Sequence, residues 1–194
     1  MSPPATLLSA VPVPFETNGD LDEKGQKTLL RHLEGIGVPG VFVSGTTREF
    51  TALDDDERAA VLSAALTVFG ADAVHAHVGA AAARQAERLT AQAVALGARR
   101  LAAITPFYLP ADPAALMDYY RRLAAVAGDA RIYVYLFAAR TGGVGHSRAA
   151  RRAGDDSGGG RGEDQRRAES GCPAVCRRSP GRFRGVLGER CRVR

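Results

Sequence analysis

The sequence has 194 residues, 45% of them hydrophobic and 6% aromatic, which suits a single domain with a core of alanine, valine and leucine. No apolar run is long enough to span a membrane, and the opening MSPPATLLSA lacks the charged start and apolar centre of a signal peptide. These features argue against a membrane-spanning or secreted protein and indicate a soluble, cytoplasmic one.

The net charge of +5 is unevenly distributed along the chain. Residues 143–194 contain thirteen arginines and six acidic residues and carry +7, whereas residues 1–142 carry −2. All three cysteines and eleven of the 22 glycines also lie in the later segment. We therefore predict two unlike pieces, residues 1–142 and residues 143–194.

The first piece alternates predicted strands and helices. The predicted strands are residues 6–13, 38–43, 73–78, 101–105 and 131–137. The predicted helices are residues 22–36, 54–69, 82–96 and 113–126, with Asp22 as an N-cap and Gly37 as a stop. Short connections between alternating strands and helices favour a parallel sheet with right-handed crossovers, as in a (β/α)8 barrel.

The second predicted strand ends in a turn of small residues, Ser44-Gly45-Thr46-Thr47. In parallel α/β proteins, ligands bind at the carboxyl ends of strands. Glycine allows close approach of the backbone, and the following N–H groups can hold a carboxylate. The alternative is an ordinary strand-to-helix turn with a threonine N-cap.

Three motifs in this order resemble the dihydrodipicolinate synthase/N-acetylneuraminate lyase family. They are GTTREF at residues 45–50, ITPFYLP at residues 104–110 and YLFAARTG at residues 135–142. The segments SAVPVPFETNGDLD and HVGA fit the opening segment and third strand of that family. The resemblance implies the first five strand–helix units of a (β/α)8 barrel followed by an irregular tail.

The resemblance also implies an activity. The family condenses or cleaves pyruvate or another 2-oxo acid with an aldehyde, through a Schiff base on a lysine. Family members are homo-oligomers, such as tetramers. We predict no metal and no cofactor for this chain.

By resemblance, Gly45, Thr46 and Thr47 bind the carboxylate of the oxo acid. Thr46 also joins a proton relay with Tyr135, and Tyr108 matches the tyrosine that completes the relay from a neighbouring subunit. Tyrosine and threonine hydroxyls suit this role because they both donate and accept protons. The alternative for Tyr135 is a core tyrosine on an apolar strand.

Arg140 matches the arginine that receives the carboxylate of the second substrate, which a guanidinium can bind bidentately. The alternative is a solvated surface charge. The chain departs from the family at Arg48, Leu136 and Ala138, where glycine, asparagine and proline are usual. These departures affect which substrate is accepted.

The family's lysine belongs at the end of the sixth strand, in a glycine–apolar–lysine context. The lysines of this chain are Lys24 and Lys27, in the first predicted helix, where solvated helix surface is the simpler interpretation. We therefore expect the chain as written to be inactive.

Residues 143–194 show no helix or strand period and have few large aliphatic residues. Cys172, Cys176 and Cys191 with His146 could bind a metal, but their spacing matches no strong zinc pattern. The Arg/Gly-rich residues 158–167 could bind nucleic acid, which leaves a non-catalytic binding protein with a basic tail as the alternative function. A natural disordered tail is a further possibility.

The remaining hypothesis is that the tail is read out of frame. Reading its permitted codons from their second base allows T-P-E-L-L-A-x-L over residues 146–153. Residues 154–165 then allow A-T-I-P-A-V-V-G-V-K-I-S, a strand with glycine–valine–lysine. The lysine codon would straddle Glu163 and Asp164. The break would lie between Gly142 and His146.

Overall fold

The structure is a computed structural model that describes residues 7–46, 50–109, 111–137 and 141, and the backbone of residues 183–188. The strands in this part of the chain are β1 (Ser9–Ala10), β2 (Val41–Val43), β3 (Val74–His77), β4 (Arg100–Ile104), β5 (Arg131–Leu136) and β6 (Phe183–Gly188). The helices are α1 (Glu23–Gly35), α2 (Asp55–Phe69), α3 (Ala83–Ala95) and α4 (Pro113–Val126). The strands are hydrogen-bonded in sequence order, which confirms the predicted α/β alternation over five strands.

The chain divides into two compact units. The first comprises Met1–Val78 and Arg88–Leu101, and the second comprises Gly79–Glu87 and Ala102–Arg194. None of the helices in the described part of the chain is long and apolar enough to cross a membrane.

In the first unit, β1, β2 and β3 pair in parallel. Ser9 is in register with Val41, and Val43 is in register with Ala76. Strand β1 is shorter than the predicted 6–13, although Val11 N still donates to the Phe42 carbonyl at 3.1 Å.

The helices of the first unit begin where side chains cap their free N–H groups. The Asp22 carboxylate accepts from Gly25 N at 2.7 Å, which confirms the predicted N-cap of α1. At α2, Asp54 Oδ1 accepts from Glu57 N at 2.8 Å and Glu57 Oε2 accepts from Asp54 N at 2.9 Å. This reciprocal pair is a capping box, which fixes the first turn of α2.

In the second unit, tyrosine hydroxyls on α4 bond to the backbone of neighbouring segments. Tyr120 donates to the Ala103 carbonyl at 2.9 Å, and the Tyr119 hydroxyl accepts from Ala80 N at 3.2 Å. Arg122 forms a two-point ion pair with Glu87, with both N···O distances 2.7 Å. These bonds tie α4 to β4 and to the start of α3.

Strand β6 corrects the prediction that residues 143–194 lack strand structure. Its backbone pairs in parallel with β5, with Tyr135 in register with Leu187 and Leu136 with Gly188. An edge strand offers a row of unpaired N–H and C=O groups, so a short stretch of weak intrinsic preference can still pair with it. The rest of the predicted tail lies outside the described residues.

Two histidines lie on β3, all four residues of which are buried. Burial, and secondly the charge of Arg100, lower the pKa of His75 to about 4. Burial, and secondly the charge of Arg58, hold the pKa of His77 well below its ordinary value. Both rings are therefore neutral in the folded chain at neutral pH.

We expect the free energy of unfolding to fall as the pH is lowered from about 6.5 towards 4. In this window the unfolded chain binds protons at both histidines while the folded chain does not, so protonation favours unfolding. Urea denaturation at a series of pH values measures the slope. His75→Met should flatten it, whereas His32→Gln, on the exposed surface of α1, should leave it unchanged. An unchanged slope in His75→Met would contradict this account.

One buried amide in α1 also affects stability. Gln26 and Leu30 are both fully buried, one helical turn apart on the same face. Neither amide atom of Gln26 has a hydrogen-bond partner among the described residues. A buried amide without partners costs free energy that an apolar side chain of the same length does not.

Gln26→Met should therefore raise the free energy of unfolding by about 1–2 kcal/mol. Gln92→Met on α3, which is only partly buried, is the matched control and should change it by less than about 0.5 kcal/mol. Chemical denaturation compares the two. Destabilisation by Gln26→Met would indicate that the amide makes bonds outside the described residues.

Candidate active site

The turn after β2 is tightly built from three small residues. Ser44 is buried and has a φ of +54°, a left-handed conformation that side chains other than glycine seldom adopt. A Cβ added to Gly45 would lie 2.6 Å from Cε1 of Phe42, so only glycine fits against that ring. Thr46 follows, half-buried, at the carboxyl end of the strand. Thr47, predicted beside it, lies outside the described residues.

His77, the last residue of β3, packs beside this turn. Its ring makes edge contacts with Phe50, at 4.6 Å between centroids, and with Phe42, at 6.1 Å. A hydrogen bond with the Ser44 backbone raises its pKa against the larger opposing effects of burial and Arg58.

Arg58 reaches His77 from the first turn of α2. Its Nη2 donates to the His77 carbonyl at 2.7 Å and lies 3.4 Å from His77 Nδ1. The guanidinium is buried and sits over the Phe50 ring, 5.4 Å from the centroid. Because arginine only donates, the contact between Nη2 and Nδ1 is a hydrogen bond only in the tautomer whose proton is on Nε2. The geometry and the lowered pKa of His77 thus agree on a neutral ring.

In the second unit, Tyr135 is buried near the end of β5. Its ring stacks on Phe137 with 6.3 Å between centroids and 16° between planes. Its carbonyl accepts from Thr105 N at 3.2 Å, so the end of β4 and the end of β5 are adjacent. Thr105, which is also buried, therefore lies beside the candidate residue Tyr135.

Tyr108 extends from the second unit into solvent. It is 91% exposed, and its φ of +79° is left-handed, which is an uncommon conformation for an aromatic residue. The neighbouring Leu109 is 72% exposed. An exposed pair of apolar side chains in a strained loop is typical of a surface that contacts another molecule.

Arg140 lies outside the described residues, but the next position is described. Thr141 is buried, and its N–H and Oγ1 both lie 3.2 Å from the Phe137 carbonyl oxygen.

Among the residues that the structure describes, no three His, Cys, Asp or Glu side chains are grouped so that they could hold a metal ion. The cysteines proposed as metal ligands, Cys172, Cys176 and Cys191, lie outside those residues.

The pair formed by Arg58 and His77 was not predicted from the sequence. A signal for it exists in α2, because Arg58 falls on the same helical face as Val61, Leu62 and Ala65, all buried. A charged residue within an apolar face is usually paired inside the protein. The sequence alone does not identify the partner on β3.

Comparison with known proteins identifies the family. The sequence profile of the dihydrodipicolinate synthetase family matches residues 3–145. The chain is 36% identical over 138 residues to an N-acetylneuraminate lyase of Rhizobium meliloti, covering 71% of this chain and 46% of that one. It is 34% identical over 142 residues to a 4-hydroxy-tetrahydrodipicolinate synthase of Acidothermus cellulolyticus, covering 73% and 46%. The chain thus spans a little under half the length of these relatives.

A solved structure shares the fold. A catalytic lysine mutant of the Ruminococcus gnavus sialic acid aldolase superposes with a TM-score of 0.75 at 21% identity, covering 94% of this chain and 52% of that one. Together with the family match, this likeness confirms the predicted fold, the first strand–helix units of a (β/α)8 barrel. The chain therefore belongs to the dihydrodipicolinate synthetase family.

Proposed function

We propose that residues 1–142 are the first part of a lyase or synthase that acts on pyruvate or another 2-oxo acid through a lysine Schiff base. Family membership supports this, as do the names of the relatives, a lyase and a synthase. The sialic acid aldolase whose catalytic lysine was mutated has the same fold. The second substrate is an aldehyde, and the intact enzyme is a homo-oligomer.

The turn after β2 is the observation that carries the proposal. Ser44 is left-handed, and Gly45 and Thr46 follow it at the carboxyl end of β2, where backbone N–H groups can hold an anion. The Thr46 and Thr47 hydroxyls add two further donors. This turn binds the carboxylate of the oxo acid.

Imine formation and hydrolysis require protons to move on and off the carbinolamine oxygen. Tyr135 and Thr46 carry these protons, and Tyr108 completes the relay from a neighbouring subunit. The buried position of Tyr135 and the exposed, strained position of Tyr108 support this division, because one residue must lie within a subunit and the other must reach out of it. Arg140 holds the carboxylate of the second substrate through its guanidinium fork.

The Schiff-base lysine is the missing component. Lys24 and Lys27 are both exposed on α1, and Lys27 Nζ pairs with Glu23 at 3.0 Å. A nucleophilic lysine is instead desolvated or lies next to another cation, so that its amine is free of its proton. Strand β6 has the sequence Phe-Arg-Gly-Val-Leu-Gly, which sets Leu187, not a lysine, in register with Tyr135.

We expect no covalent adduct when this chain is treated with pyruvate and sodium cyanoborohydride, because neither α1 nor β6 offers a suitable amine. Intact-mass spectrometry measures the adduct. The Rhizobium meliloti N-acetylneuraminate lyase, treated in parallel, is the positive control. An adduct mapped to Lys24 or Lys27 at neutral pH would overturn this account of the site.

We also propose that residues 143–194 are not in the reading frame of the parent enzyme. The family match ends at residue 145, inside the interval between Gly142 and His146 where the shifted codons place the break. The shifted frame permits the glycine–valine–lysine strand that the reaction requires. Sequencing the gene and its transcript across these codons tests directly whether the reading frame changes there.

Restoring the frame should restore imine formation with pyruvate. In the restored protein, Tyr135→Phe should lower kcat by about 10²–10⁴-fold while the fold is retained, because it deletes one relay hydroxyl and almost no volume. Tyr133→Phe, on the same strand, is the matched control and should have little effect. Steady-state kinetics and circular dichroism measure the two properties. A restored protein that forms no imine, or a Tyr135→Phe variant with unchanged kcat, would show that the family roles do not apply here.

A further inference from the structure

The loop between β2 and α2 carries Thr46 and Thr47, and residues on both sides of them are packed into the first unit. Before them, a Cβ added to Gly45 would lie 2.6 Å from the Phe42 ring, so the backbone runs directly against that side chain. After them, Phe50 is buried, with 6% of its surface exposed. The loop is therefore in contact with the core on each side of the two threonines.

One ring on β3 contacts both sides of this loop. The centroid of the His77 ring is 4.6 Å from that of Phe50 and 6.1 Å from that of Phe42, with interplanar angles of 71° and 74°. Both contacts are edge-to-face, an arrangement that aromatic rings prefer over a face-to-face stack. His77 thus joins the end of the loop to the strand from which the loop starts.

Arg58, in the first turn of α2, holds the same phenylalanine. Its guanidinium lies over the Phe50 ring, with Cζ 5.4 Å from the centroid. A cation over a ring face is attracted by the ring quadrupole, and more strongly where water is excluded. The Nη2 atom of Arg58 also donates to the His77 carbonyl at 2.7 Å. Phe50 is therefore packed against two side chains whose residues are bonded to each other.

The chemistry proposed for this loop needs such an anchor. Donors that receive a carboxylate bind it well only when they stay in the right geometry, and loops rely on the rigid elements beside them for this. Packing at Gly45 restrains the start of the loop only in part, because glycine tolerates many backbone conformations. A large buried ring on the other side of the threonines supplies the second restraint.

We propose that Phe50 is a positioning residue that anchors the end of this loop and keeps the threonine hydroxyls in place for the carboxylate of the oxo acid. His77 and Arg58 form the seat that holds its ring. The role towards the carboxylate rests on the proposed function. The anchoring does not, because it follows from contacts within the first unit.

The first experiment measures the loop without ligand. ¹⁵N relaxation of the full chain should give the Thr46 amide an order parameter of about 0.85, the value of rigid backbone. Phe50→Met remains apolar but has no ring, and should lower this order parameter below about 0.6. Phe69→Met, the same change at the far end of α2, is the matched control and should leave it unchanged. An unchanged order parameter in Phe50→Met overturns the anchoring.

Arg58→Lys tests the seat from its other component, and decides the matter where Phe50→Met does not fold. Lysine keeps the charge but lacks the planar guanidinium that both covers the ring and reaches the His77 carbonyl. It should also lower the Thr46 order parameter, whereas Arg31→Lys on the exposed surface of α1 should not. The double variant should lose no more than the larger single loss, because the two side chains act together. Losses that add, or an unchanged value in Arg58→Lys, overturn the seat.

The second experiment titrates sodium pyruvate into the same proteins and follows the Thr46 amide signal. We expect Phe50→Met to raise the pyruvate Kd about tenfold, and Phe50→Tyr, which keeps the ring, to stay within about threefold of the unmodified chain. Phe69→Met is again the control for general damage and should leave the Kd unchanged. Equal Kd values for Phe50→Met and the unmodified chain overturn the positioning role.

The two failures are distinguishable. If pyruvate shifts no signal in the unmodified chain, the carboxylate site of the proposed function is wrong, and the role of Phe50 towards the carboxylate is wrong with it. The anchoring is then still decided by the Thr46 order parameters. If pyruvate binds and Phe50→Met binds it equally well, the proposed function stands and the positioning role does not.

Discussion

The parallel pairing of β2 with β3 is the constraint on which the candidate site depends. Val43 is in register with Ala76. The next residues of the two segments, Ser44 and His77, therefore lie beside each other at the carboxyl edge of the sheet. Parallel strands end at the same edge, and the segment after each must cross back before the next begins. Helix α2 makes that crossing between β2 and β3, and its first turn carries Arg58 to His77.

Burial of polar groups has opposite consequences in two parts of the first unit. Arg58 and His77 form a connected pair, in which Arg58 Nη2 donates to the His77 carbonyl at 2.7 Å and lies 3.4 Å from the ring Nδ1. In a low dielectric such bonds are stronger than in water, so the pair favours one arrangement of the two side chains. Gln26 is as deeply buried but has no described partner, so it adds cost without specifying a conformation. The difference lies in the geometry around each group and not in the depth of burial.

The family match and the composition of the chain point to the same division. The chain aligns with a little under half of the length of the Acidothermus cellulolyticus synthase. The family match ends at residue 145, close to the point where the charge, cysteine and glycine content of the sequence change. The described strands and helices before this point have regular caps and registers. Beyond it, β6 pairs its backbone with β5, but its sequence offers no amine for the chemistry expected of a sixth strand. Backbone pairing can occur without the side chains that catalysis needs, because hydrogen bonds between strands are largely independent of sequence.

The sequence by itself determined the alternating α/β fold, the helix N-cap at Asp22 and the turn of small residues after β2. These features depend on local periodicity, on caps and on glycine, all of which are visible within a few residues. The family motifs named the candidate residues Thr46, Tyr108, Tyr135 and Arg140 in the same local way. Strand ends were less well predicted, because pairing with neighbouring strands decides them.

Only the tertiary structure decided which residues meet. The contact between Arg58 and His77 spans nineteen residues of sequence and depends on the register of β2 with β3 and on the start of α2. The left-handed Ser44, the ring of Phe42 that requires glycine at position 45, and the exposed Tyr108 are likewise set by surroundings distant in sequence. Local patterns fix the conformation of a segment, but a buried hydrogen bond needs two groups brought together by the whole fold.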